Sequence, residues 1–332
     1  MDRAQFLAAA GAPLVTVAMG MTREGGRDAS SSAPVASLRV LLGSGSARRI
    51  DASSFTYGGR RYRGTFSRLA DGNVLSVVPL EAYLYGVVAM EMSPSWPAAA
   101  LQIQAICART YVLQRSDPRR NYDVSTSEAD QVYGGMDVEY QAATDAVDAT
   151  VGQILQYGGN FAQVAYSSCC GGHTEASADA WGGAPLAYLE GVVCPWCAGA
   201  PEFAWTSTLD QGALMQAVPG NVSPLAMIRD LRPGPTDRSG RLRSITLVGL
   251  NGSANLKARD FRRAMGARVV RSLLIKRIAA ADKVPGSFVI EGAGLGHGVG
   301  LCQWGANFMA AAGRSPADIA AFYFPGTQIG SD

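Results

Sequence analysis

Histidine is scarce: the 332 residues hold only two, His173 and His297, so any imidazole chemistry must pass through one of them. Charged residues make up 17% of the chain against 48% apolar ones, too few for a disordered protein. The formal net charge is only +2, which gives no global argument for nucleic acid, and none is expected as a partner. The 39 glycines follow no period, so collagen-like and low-complexity readings fail, and no solenoid repeat is found. No apolar run is long enough for a comfortable membrane span. The run from Phe6 to Met21 has instead the length of a signal-peptide core, and a Ser, Ala, Gly and Arg-rich linker follows it.

Residues 1–37 therefore read as a signal-like leader and linker, with a buried helix of the fold as the alternative. The protein is expected to be exported, to a periplasm or cell envelope, and tethered by the N-terminal apolar segment. Export would permit disulfides among the six cysteines. Residues 38–332 show no linker long enough to separate domains and read as one domain. Short alternating segments from Leu38 to Val78 suggest antiparallel strands. Ser95 suits a helix N-cap, and the following run from Trp96 to Arg115 is apolar almost all round, as a buried central helix would be. A hairpin is expected around Gly158-Gly159, and later helices over Leu209–Val218, Lys257–Met265, Leu301–Ala312 and Ser315–Phe322. The fold class is α+β, with antiparallel strands and hairpins around the buried helix and a cleft.

Between Arg229 and Arg277 stand 13 basic and 3 acidic residues. Such a stretch is either a solvated face or a surface that attracts an anionic polymer.

Three segments could carry chemistry. Glu91 sits in the apolar sequence Gly86-Val-Val-Ala-Met-Glu-Met92. A carboxyl in apolar surroundings keeps its proton to higher pH, as a general acid must, although Glu91 could instead serve the helix terminus near Ser95. Cys170-Gly-Gly-His173 and Cys194-Pro-Trp-Cys197 share a two-residue gap. Two such pairs can converge tetrahedrally on zinc, and a complete set would make the metal structural. A disulfide involving Cys194 or Cys197 is the alternative, and thioredoxin-like redox chemistry fits poorly because Pro201 follows so soon. Finally, Gly292-Ala-Gly-Leu-Gly-His297-Gly-Val-Gly300 has no P-loop Lys-Ser/Thr and no dinucleotide fingerprint. Its glycines suggest a backbone that approaches a ligand closely, with His297 displayed beside Glu91 in one cleft, against the alternative of a histidine satisfied in the core.

The chain resembles the sporulation stage II protein D family, which includes the amidase enhancer domain. The resemblance rests on Pro79–Pro97 with Ala105–Tyr111, on Tyr166-Ser-Ser-Cys-Cys-Gly-Gly-His-Thr-Glu175 with Trp181, and on Gly292–Ala306 with Tyr323-Phe-Pro-Gly-Thr327. Asp130-Gln-Val-Tyr-Gly-Gly135 is a fourth block. The resemblance implies a lytic transglycosylase acting on peptidoglycan glycan strands, with the family's catalytic glutamate on Glu91. It implies zinc bound through the central block, which supports Cys170 and His173; Cys194 and Cys197 are added from spacing alone. Gln131, Tyr133, His297 and Gln303 would orient sugar and water. Cys302 stands where a serine is common and Cys107 where an alanine is usual, and these two thiols, with Cys169, have no assigned role. The rival function is a non-catalytic wall-binding module that enhances a cell-wall amidase.

Overall fold

A computed structural model describes residues 37–126, 130–218, 225–281 and 286–331. The class is α+β: helices alternate with small sheets that are almost wholly antiparallel. The expected membrane tether is corrected. No helix among the described residues is long and apolar enough to cross a membrane. The apolar run 6–21 itself lies outside the described residues.

The chain forms two compact units: residues up to Tyr166 together with those from Ala306 onward, and Ser167–Gly305. In the first, strand Leu38–Ser44 pairs antiparallel with Asn73–Val78, which pairs with Thr65–Arg68. The short strand Val124–Ser125 joins the other side of Leu38–Ser44 in parallel. The apolar positions Leu38, Val40, Val74 and Val78 are fully buried, as the alternating pattern requires. The hairpin over Gly158-Gly159 is present, both glycines holding the positive φ of its two-residue turn (58° and 80°).

Two helices follow the sheet, Leu80–Glu91 and Ala98–Arg115. The second starts two residues later than the sequence suggests, because Pro97 takes the N-cap position with φ −57° and ψ 146°. A proline there has no N–H to lose and its ring fixes the entry angle, so it displaces Ser95 from the role. The helix is buried nearly all round, and Arg109 is buried within it. That guanidinium donates from Nε and Nη2 to the Glu81 carboxylate at 2.9 and 2.6 Å, and from Nη1 to the Gln153 carbonyl at 3.0 Å. One buried ion pair thus pins the helix that ends at Glu91. Breaking such a pair by removing one partner typically costs about 3–5 kcal/mol.

The second unit holds two three-stranded antiparallel sheets. Ala204–Leu209, Phe288–Ala293 and Ile275–Ala280 form one. Ile228–Pro233, Ser244–Gly249 and Gly252–Lys257 form the other. Helices Gln211–Gln216 and Ala258–Met265 contribute to the core with Leu214 and Phe261, which pack with Trp205, Ile245, Leu247 and Ile290. Before these sheets, residues 167–203 form a turn-rich segment with few regular elements, and it carries four of the six cysteines.

Candidate functional site

Glu91 is the last residue of helix Leu80–Glu91 and only 1% exposed. The same unit holds a buried polar chain. Tyr83 donates its hydroxyl to Gln131 Oε1 at 3.1 Å, and Gln131 Nε2 donates to the Tyr166 hydroxyl at 2.9 Å and to the Ala108 carbonyl at 3.3 Å. Burial pushes both phenols well above their ordinary range, and the charge of Glu91 adds to this in each case. The two phenols near Glu91 therefore stay protonated at neutral pH.

Gln131 and Tyr133 are placed inside the protein rather than on a surface. Gln131 is fully buried with both amide N–H donors committed. The Tyr133 ring packs against Tyr62 and Tyr83 with centroids 5.4 and 4.8 Å away. It lies so close to Gly86 that a Cβ there would meet it at 2.8 Å. Asp130, beside Gln131, accepts from Tyr111 and from the Ser125 hydroxyl and N–H, which fits it to holding its loop.

In the second unit, His297 is half-buried, with Trp181 edge-on at 5.1 Å. Its Nδ1 accepts from the Val299 N–H at 3.0 Å, so the neutral ring carries its proton on Nε2. The glycines around it have an explanation within the protein. A Cβ on Gly294 would meet the Cys169 carbonyl oxygen at 2.6 Å, one on Gly296 the Ser167 Cβ at 2.7 Å, and one on Gly298 the Arg241 guanidinium at 2.1 Å. All three have φ between 80° and 107°. The expectation that they make room for a ligand is corrected: protein atoms occupy that room. Gln303 is fully buried.

The cysteines gather more tightly than their spacing suggests. The sulfurs of Cys170, Cys194, Cys197 and Cys302 all lie within 4.8 Å of one another, and all four residues are buried. The fourth member is Cys302, in place of His173. The His173 ring is held by its own neighbourhood, with Nδ1 2.6 Å from the Thr174 carbonyl oxygen. All four are free thiols, so the alternative of a disulfide at Cys194 or Cys197 is not what the structure holds. Two of the separations are 3.5 Å (Cys170–Cys197) and 3.9 Å (Cys194–Cys197). Metal–sulfur bonds of about 2.3 Å in a tetrahedron set sulfurs about 3.8 Å apart, so the cluster could hold a metal ion of that kind. Backbone N–H groups of Cys170 and Gly305 donate to the Cys302 sulfur at 3.2 and 3.4 Å, as they would to a thiolate. Donation from the thiols of Cys169, Cys170 and Cys194 holds Cys197 below the ordinary thiol range, while burial pushes Cys302 up. Four close thiols cannot all ionise without a cation. Cys107 is a buried thiol inside helix Ala98–Arg115, its pKa raised by burial alone.

Arg241 stood in the sequence only as one of the basic residues of Arg229–Arg277, yet its guanidinium is fully buried beside the cysteine segment. Burial pushes its neighbour Glu175 up to about 8 even against the pull of that arginine, their closest approach being 3.4 Å. The basic stretch is less bare than its composition implies. Arg238 and Arg243 pair with Asp179, Arg238 also with Glu190, and Arg277 with Glu291, all outside the stretch.

A family model described as "Stage II sporulation protein" matches residues 70–157, which contain Glu91, Gln131 and Tyr133. A domain of unknown function (DUF8618) matches residues 197–300. An uncharacterized protein of Brachyspira hyodysenteriae is 34% identical over 282 residues, covering 83% of this chain and 74% of that protein. Stage II sporulation protein D of Bacillus subtilis is 30% identical over 272 residues, covering 76% of this chain and 74% of its own. An amidase enhancer of the same organism is 29% identical over 297 residues, covering 75% of this chain but only 40% of the enhancer.

Proposed function

The chain belongs to the stage II sporulation protein D family, and on that footing we propose that it is a lytic transglycosylase of the bacterial cell wall. It cleaves peptidoglycan glycan strands between N-acetylmuramic acid and N-acetylglucosamine, with residues 38–332 acting as one domain. The observation that supports this best is Glu91, a carboxyl 1% exposed at a helix end and set near two buried phenols that remain protonated. Glu91 gives its proton to the glycosidic oxygen as the bond to the muramyl C1 breaks. The carboxylate so formed takes the proton of the muramyl 6-hydroxyl as that oxygen bonds to C1. Glu91 is then restored, no water is consumed, and one carboxyl suffices where a glycosidase uses two. Asp130, beside Gln131 in sequence, is engaged by Tyr111 and Ser125, which agrees with a single-carboxyl scheme.

Gln131 and Tyr133 serve by holding the interior near Glu91. Gln303 is as deeply buried as Gln131, and His297 is held by Val299 and Trp181 within its own unit. Zinc is the metal that fits four buried thiols best, held by Cys170, Cys194, Cys197 and Cys302. A full set of protein ligands leaves no position for water, so the ion's contribution would be structural.

The relative named amidase enhancer favours a second reading, in which the protein binds the wall and stimulates an amidase without cutting glycan. Purified protein incubated with peptide-free glycan strands separates the two. Release of soluble fragments that Glu91→Gln abolishes supports the enzyme. No release, together with faster peptide removal by an added cell-wall amidase, supports the enhancer.

A further inference from the structure

The proposed chemistry makes no use of Arg241, yet this is one of the largest fully buried side chains in the protein. Its Nη2 donates to the Cys170 carbonyl at 2.8 Å, and its Nη1 to the His173 carbonyl and the Ser239 hydroxyl, each at 2.9 Å. The two carbonyls are the ends of the turn Cys170-Gly-Gly-His173, whose glycines have φ 73° and 107°. One planar guanidinium therefore spans the turn that presents the Cys170 sulfur. The N–H of that same residue donates to Cys302 at 3.2 Å. A lysine ammonium could not reach both carbonyls in a fixed plane.

The other side of the guanidinium faces the loop of His297. Gly298 lies so near that a Cβ would meet Nη2 at 2.1 Å. Glu175, 3.4 Å from Arg241 Nε, donates its backbone N–H to the Gly298 carbonyl at 2.9 Å and bridges Val299 in parallel. Val299 in turn donates to His297 Nδ1 at 3.0 Å. A continuous path of short contacts thus runs from a cluster sulfur's own peptide, through Arg241 and Glu175, to the hydrogen bond that sets the His297 ring.

We infer that Arg241 is a positioning residue that ties the geometry of the cysteine cluster to the orientation of His297. This rests on the reading of the cluster as a metal site. Metal in the cluster then fixes His297 as well as the turn, and loosening Arg241 disturbs both. Contacts of this supporting kind are typically worth about 10–100-fold in metal affinity.

The test uses the full chain loaded with cobalt(II), whose thiolate charge-transfer bands report the cluster, and ring-labelled histidine, where two residues give two resolvable signals. Arg241→Met and Arg241→Lys should release cobalt to a chelator roughly 10–100 times faster than the unaltered chain. With diamagnetic zinc in place of cobalt, both should shift the His297 ring signals, and so should removing zinc from the unaltered chain. Should neither variant fold, Ser239→Ala and Glu175→Gln leave Arg241 in place and should move the same two readouts less. Folded variants with unchanged cobalt release and unchanged His297 signals overturn this inference alone. An unaltered chain that takes up no cobalt overturns the metal reading along with it.

Discussion

The backbone N–H of Cys170 donates to the sulfur of Cys302 at 3.2 Å across 132 residues of chain. This contact makes the Cys302 loop part of the cysteine cluster, so that the fourth candidate donor is a sulfur rather than the His173 imidazole. A four-thiolate site carries one more negative charge than a three-thiolate, one-imidazole site, and it leaves His173 outside.

Cys302→Ala and His173→Ala should accordingly part company. Elemental analysis of the purified chain should find one zinc per molecule, and His173→Ala should retain it. Cys302→Ala removes a donor outright, so its loss of metal retention should exceed the ~10–100-fold that a supporting contact costs. Retention by Cys302→Ala with loss from His173→Ala would contradict the assignment.

Gly86→Ala sets helix propensity against packing. Alanine gains up to about 1 kcal/mol over glycine inside a helix. Here its Cβ would lie 2.8 Å from the Tyr133 ring and 3.1 Å from the Gly135 carbonyl oxygen. Overpacking of that order costs about 1–3 kcal/mol. Urea unfolding should therefore show a net loss of about 1–2 kcal/mol, and a gain in stability would contradict the packing described around Tyr133.

Acid should weaken the anchor between Arg39 and Asp123. Burial raises the Asp123 carboxyl, but Arg39 outweighs it, donating to the carboxylate from its side chain and backbone N–H, and holds the group below the usual carboxylate range. A depressed pKa in the folded state stabilises above the unfolded value of about 3.9, and that stability is lost as pH falls through the folded one. Asp123→Asn should lower the melting temperature at pH 7 and flatten the fall below about pH 4. Parallel curves for the two proteins would show that the pair contributes nothing to acid sensitivity.

The fold class was legible because strand alternation, the Gly158-Gly159 turn and the helical pattern from Ser315 onward are local signals. Ser315 does form a reciprocal capping box with Asp318. The Cys194/Cys197 pair was legible for the same reason. Cys302 was not, because a lone thiol in a glycine-rich loop has no spacing partner in sequence, and only the fold brings it to Cys170. The glycines near His297 misled in the opposite way. Each marks a close approach, but sequence does not say what approaches, and here it is backbone, Ser167 and Arg241. Arg109 left a trace that could have been followed, a charge well inside a mostly apolar helix, which in a folded protein demands a partner such as Glu81.

The product of the reaction tests the central claim most directly. Peptide-free glycan strands digested by the purified chain should yield fragments ending in 1,6-anhydromuramic acid, each lighter by one water than a hydrolysis product in the mass spectrum. Glu91→Gln, which keeps the shape of the side chain but cannot transfer the proton, should yield none. Fragments with reducing muramic ends, formed equally well by Glu91→Gln, would contradict both the mechanism and the role of Glu91.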